Sequence, residues 1–154
     1  MDKKCVVVGI GNPSLQDDRA GLVIVETLEQ EGLPCRTEVV YTAGFEVMDK
    51  IRGYEQAIIV DACMLGNLPG TILEVTVDDI FSPRTSVNSH ALTLGATLKT
   101  GLLCYPDEMP ADIRIILIEV KAINAFTQQM SPEVEAAVVT VVDRIRTLVA
   151  AAGG

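Results

Sequence analysis

The strongest constraint on the fold lies near the amino terminus. Residues 4 to 9, Lys-Cys-Val-Val-Val-Gly, read as a strand with an apolar, β-branched body. Its lack of polar alternation means burial on both faces, as in a central parallel strand. The strand ends in Gly9-x-Gly11-Asn12, an acidic pair follows at Asp17 and Asp18, and a helical pattern begins at once. A glycine loop and two carboxylates thus fall at the carboxyl end of a buried strand, where open α/β sheets keep their chemistry. A phosphate cradle wants backbone N–H groups and positive charge. Two carboxylates there suit a cation instead.

The remaining chain alternates strands with helices. Asp17 to Gln30 reads as a helix, with Ala20, Val23, Ile24, Thr27 and Leu28 at helical spacing and Gly32-Leu33-Pro34 as its stop. Residues 36 to 42 read as a second strand, and Phe45 to Ile51 as a short helix. Gln56 to Asp61 is a buried strand ending in an acid, and Asn67 to Gly70 is a turn. Thr71 to Val77 alternates and, after so short a connection, is expected to run antiparallel. Residues 78 to 89 read as a polar loop, His90 to Leu103 as a helix, and Tyr105 to Asp112 as a loop. Arg114 to Val120 is the last strand. Ser131-Pro132 opens a final helix, with Ser at N-cap and Pro at N1, and the closing Ala-Ala-Gly-Gly is expected to fray. The expectation is one domain over residues 1–154: an α/β three-layer sandwich with a twisted, mostly parallel, mixed five-stranded sheet and helices on both faces.

Composition narrows the function. The net charge of −9 makes nucleic acid an unsuitable partner, because phosphate binding needs clustered Lys and Arg. Cys5, Cys35, Cys63 and Cys104 form no C-x-x-C and read as reduced thiols of a cytoplasmic protein. No signal peptide or membrane span is evident, and no spare apolar helix face argues for an oligomer, so a cytoplasmic monomer is expected.

Three chemistry-bearing residues fall on one edge of such a sheet. Asp18 follows the first strand, Asp61 ends another parallel strand, and His90, the single histidine, starts a helix. Strand carboxyl ends and the following helix amino termini share that edge. Two carboxylates and an imidazole make a three-ligand divalent site with open positions. Each also has a plainer role: Asp17 or Asp18 as a helix cap, Asp61 bonded to its own turn, His90 as a polar helix start. Gly9-x-Gly11 lacks the third glycine of a dinucleotide loop, since position 14 is Ser, and no acid ends the second strand. A G-x-S-x-G elbow is absent. A Cys63–His90 pair is geometrically conceivable, with nothing further in its favour.

Taken together, these segments resemble the nickel–iron hydrogenase maturation endopeptidases. The likeness lies in Gly9-Ile-Gly-Asn-Pro-Ser-Leu-Gln-Asp-Asp-Arg-Ala-Gly21, in Val60-Asp61-Ala62 with Pro69-Gly70-Thr71, in Ser89-His90 with Leu94, and in Leu-Ile-Glu119 followed by Ser131-Pro-Glu-Val-Glu-Ala-Ala137. The resemblance implies a phosphorylase/hydrolase-like fold. It also implies a hydrolase, of aspartic-type endopeptidase character, that removes the C-terminal extension from the nickel-loaded hydrogenase large-subunit precursor and so activates that enzyme. Asp18, Asp61 and His90 are then the metal-contacting and catalytic residues. Nickel arrives with the precursor, and zinc or cadmium are further ions such a site accepts. Asp17 would orient a ligand or the loop, and Asn12 would bond the substrate backbone. Arg19 stands where the family usually has glycine, and Glu119-Val-Lys121 departs from the usual glycine- and proline-containing ending.

Two other classes compete. A peptidyl-tRNA hydrolase also opens with G-x-G-N-P but needs a histidine soon after it and a basic surface; residues 14 to 30 hold no histidine and the chain is acidic. A non-catalytic metal-sensing module of the same fold is the other alternative.

Overall fold

The structure, a computed structural model, describes residues 4–12, 16–81, 89–121 and 130–153. Five strands, β1 (Cys5–Ile10), β2 (Arg36–Val40), β3 (Gln56–Cys63), β4 (Ile72–Val75) and β5 (Asp112–Glu119), form one sheet in the order β2-β1-β3-β5-β4. β1 is parallel to β2 and β3, β3 is parallel to β5, and only β4 runs antiparallel, against β5. The chain leaves β1 for β2 on one side and returns to β3 on the other. The strand order therefore reverses between β1 and β3, the switch point at which such sheets open a crevice.

Helices cover both faces. Helices α1 (Ala20–Gln30) and α5 (Pro132–Gly153) close one cluster around Val7, Ile58, Val60, Ile116 and Ile118. On the other face α2 (Phe45–Ile51), α3 (Val77–Ile80) and α4 (Ser89–Cys104) close a second, around Val8, Ile59, Ile115 and Leu117. Each such side chain, fully buried, contributes about 1.5–3 kcal/mol, so the apolar runs of β1, β3 and β5 hold the sheet in register.

Several sequence-based boundaries shift. The first helix opens as a 3-10 turn, Gln16–Arg19, and is α-helical only from Ala20. β3 continues two residues past Asp61. The expected loop at 78 to 89 begins instead with helix α3, a single turn held by a capping box. The Thr76 hydroxyl accepts the Asp79 amide at 3.3 Å, and the Asp79 carboxylate accepts the Thr76 amide at 2.8 Å. Thr-x-x-Asp ahead of an apolar residue carried that signal. The last helix keeps its form to Gly153 instead of fraying.

Candidate active site at the carboxyl edge of the sheet

A buried acid must be hydrogen-bonded, because leaving water costs several kcal/mol. Among the described residues three acids are buried, Asp17, Asp61 and Glu119, and all three lie at the carboxyl edge of the sheet. Their partners define the site.

Asp17 is fully buried. Its carboxylate accepts the Ser131 amide at 2.7 Å, the Ser131 hydroxyl at 2.8 Å and the Lys121 amide at 3.0 Å. It thereby ties the turn after β1 to both ends of the β5–α5 connection. Ser131 takes the N-cap position expected of it, its carbonyl accepting the Val134 and Glu135 amides, while its hydroxyl turns to Asp17. Asp18 is half-buried, and its Oδ2 accepts the Asn12 amide at 2.9 Å. Neither acid caps α1: the N-cap is Arg19, in helical conformation, with no side-chain cap hydrogen bond. The capping role is thus not met, because the 3-10 turn carries both carboxylates one turn ahead of the helix.

The glycines serve the chain's own packing. A Cβ on Gly11 would lie 2.1 Å from the Asp18 carbonyl oxygen. A Cβ on Gly9 would lie 2.3 Å from the Gly21 carbonyl oxygen, and one on Gly21 would lie 2.6 Å from that of Ile10 and 2.9 Å from that of Val60. The ends of β1 and β3 and the start of α1 thus meet backbone to backbone. Each of these Cβ spaces is already filled. The Asn12 backbone amide closes the same turn by donating to Asp18.

Asp61 sits on β3 between Val60, which faces α1 and α5, and Ala62. Alternation places it on the α2–α4 face, where Ile59 and Cys63 also point. It is buried, and its Oδ1 accepts the Ala62 amide at 2.8 Å. Val60 lies against Gly21, so Asp61 follows immediately after the contact that brings the Asp18 turn over β3.

His90 lies in the first turn of α4, and its side chain falls outside the described residues. The backbone position follows from helix direction. Gly101, near the end of α4, packs on Met48 and Met109, and Gly53 donates to the Glu108 carbonyl beside the amino ends of β3 and β5. The carboxyl end of α4 is therefore at the amino edge of the sheet, and its start is at the carboxyl edge. Sixteen residues span about 24 Å, close to the length of an eight-residue strand. The elements bearing Asp18, Asp61 and His90 converge on one edge. Among the described residues no three His, Cys, Asp or Glu side chains group as metal ligands.

Glu119 stands outside the sequence-derived set. Its carboxylate accepts the Leu65 amide at 3.0 Å and the Asn67 amide at 3.1 Å, fixing the loop after β3. An acid ending the apolar run Ile115 to Ile118 was its visible signal, the same one that marks Asp61. Glu119 also faces Cys63 across the β3–β5 ladder. Burial first, then the negative charges of Glu119 and Asp61, push the Cys63 thiol up to about 12. At neutral pH the thiol therefore holds its proton.

With this geometry in hand, comparison with known proteins is direct. The family profile HycI, hydrogenase maturation protease, matches residues 23–148. The hydrogenase 2 maturation protease of Escherichia coli K12 is 27% identical over 147 residues, covering 92% of this chain and 88% of its own. The solved structure of the hydrogenase-maturating endopeptidase HybD from E. coli superposes with a TM-score of 0.73 at 26% identity, covering 92% of this chain and 89% of that one. The [NiFe] hydrogenase maturation protease HybD from Thermococcus kodakarensis shares the fold with a TM-score of 0.79 at 24% identity, over 95% and 99% of the two chains.

Proposed function

This chain belongs to the hydrogenase maturation protease family, and we propose that it removes the C-terminal extension from the nickel-loaded precursor of a nickel–iron hydrogenase large subunit. Membership makes it a hydrolase of hydrogenase maturation. The nickel, the tail and the residues are the proposed part. Asp18, Asp61 and His90 contact the nickel carried by the precursor and form the catalytic set; zinc or cadmium are accepted at the same donors. The enzyme acts as a single-domain cytoplasmic monomer. No helix among the described residues is long and apolar enough to cross a membrane.

One observation carries this reading: the elements bearing the three residues meet at the carboxyl edge, beside the β1–β3 switch point. The donor chemistry fits. Two carboxylates and an imidazole suit a first-row divalent ion. One oxygen of each carboxylate is held by a backbone amide, Asn12 for Asp18 and Ala62 for Asp61, which orients the group as an outer shell does for a ligand. Asp17 keeps the Asp18 turn in place. Nickel in the precursor then brings the scissile peptide to the edge, where the ion polarises its carbonyl or activates a water. A metal that arrives with the substrate makes cleavage report on nickel insertion. The border of this edge also suits a polypeptide, with Tyr41 and Phe45 beyond β2 and Met64 and Leu68 beyond β3 all exposed.

The test is cleavage of nickel-loaded precursor by Asp18→Asn, Asp61→Asn and His90→Ala, read as the mass of the processed subunit. Each is expected to lose cleavage while keeping its fold by circular dichroism. Near-normal processing by all three would remove the assignment. Rapid processing of nickel-free precursor would remove the nickel check, and binding without cleavage by the unaltered chain would favour a sensing module.

A further inference from the structure

The opposite edge of the sheet carries a second row of reactive side chains. The register pairs Val6 with Arg36, so Cys5 falls beside Cys35 one step earlier. Cys5 is in turn paired with Gln56, and Gln56 with Asp112. Residues in one such row project from the same face of the sheet. Here it is the face of α1 and α5, where Cys5 is buried and the half-buried Cys35 packs against the same cluster. We propose that Cys5 and Cys35 form a dithiol which a peroxide converts to an intramolecular disulfide, with Cys35 as the sulfur that reacts first.

Spacing permits the bond. Adjacent strands lie about 4.8 Å apart, within the Cα separation that disulfides span. Cys35 lies just ahead of β2, outside its ladder. The asymmetry of the pair decides the order of events. Cys5 is buried while Cys35 is only half-buried, and the neighbouring Cys35 sulfur, burial and the Asp112 carboxylate all act on Cys5. Together they hold the Cys5 pKa far above the usual thiol range, while the neighbouring Cys5 pulls that of Cys35 below it. Cys35 is thus the more accessible sulfur and the one with the lower pKa of the pair, the combination that selects a peroxide-reactive cysteine.

In the first step the Cys35 thiolate attacks a peroxide oxygen. An S–O bond forms, the O–O bond breaks, and the leaving hydroxide takes up a proton to become water. In the second, the Cys5 sulfur attacks the Cys35 sulfur. The S–S bond forms, the S–O bond breaks, and the Cys5 proton departs with the hydroxyl as water. Two thiols and one peroxide give one disulfide and two waters, sulfur being oxidised by two electrons and peroxide reduced by two. This chemistry is independent of the proteolytic reading.

The experiment uses the reduced, full-length protein. It is exposed to stoichiometric hydrogen peroxide, blocked with N-ethylmaleimide under denaturing conditions, then reduced and labelled with a heavy maleimide. The expected result is an intact mass short by two hydrogens before reduction, with the heavy label on Cys5 and Cys35 and the light label on Cys63 and Cys104. Cys5→Ala should stop at a Cys35 sulfenic acid that dimedone traps, and Cys35→Ser should leave Cys5 a thiol. Light label on both Cys5 and Cys35 while Cys104 oxidises would overturn the proposal. So would a wild-type Cys35 that passes to sulfinic acid with Cys5 still free. The wild-type map decides by itself, even where a buried Cys5 variant fails to fold.

Discussion

Replacing Asp17 by Asn removes the clamp that joins the β1 turn to the β5–α5 connection. The side chain keeps its shape but exchanges one acceptor oxygen for an amide that donates. Two donors are buried with Asp17, the Ser131 amide and hydroxyl, and the third, the Lys121 amide, is part-buried. A buried donor left without a partner costs about 1–3 kcal/mol, and one that turns to water roughly 0.5–1.5 kcal/mol. The asparagine oxygen retains two of the three in the place of Oδ2, the Ser131 hydroxyl and the Lys121 amide, and one in the place of Oδ1, the Ser131 amide. The expected loss is therefore about 1–4 kcal/mol, a sizeable share of the roughly 5–15 kcal/mol that holds a domain together. Urea unfolding followed by far-ultraviolet circular dichroism measures it, with Ser131→Ala as the partial case at about 1–2 kcal/mol. In a double-mutant cycle the two losses should fall short of additive, because both act on the Asp17–Ser131 contact. An Asp17→Asn protein within about 1 kcal/mol of wild type would refute the clamp. Additive losses would refute the pairing with Ser131.

Two further outcomes follow from the geometry. Gly11→Ala places a methyl group 2.1 Å from the Asp18 carbonyl oxygen. Since the neighbour is backbone, the turn must move; urea unfolding should show a loss of about 1–3 kcal/mol or more, and precursor cleavage should fall with it. Cys63, pushed up to about 12 from 9.0, contributes a pH dependence of known sign. Below pH 9 both folded and unfolded thiols hold their protons; above it only the unfolded thiol releases its own, so stability falls as pH rises toward 12. Urea midpoints measured across that window should decline less for Cys63→Ala than for wild type, and equal slopes would contradict the shift.

Much of the architecture was legible because burial on two faces writes itself as uninterrupted apolar runs. β1, β3 and β5 stand within two or three residues of where hydropathy puts them, and α2 keeps its expected bounds. The errors fall where individual hydrogen bonds decide. Thr76 and Asp79 nucleate a turn of helix inside a polar stretch, and Asp17 and Asp18 face tertiary partners instead of the helix that follows them. Glu119 escaped as a site residue because its amide partners, Leu65 and Asn67, lie more than fifty residues away.

Sequence by itself determined the layered α/β class, the edge on which Asp18, Asp61 and His90 fall, and the family resemblance, since all three depend on periodicity and order along the chain. Tertiary structure alone decided what the opening glycines and acids do. Their Cβ spaces and carboxylate oxygens are occupied by atoms brought from β3, α1 and the β5–α5 connection. The glycine loop is in the fold a packed junction, because the close approach of one backbone to another requires the missing side chain.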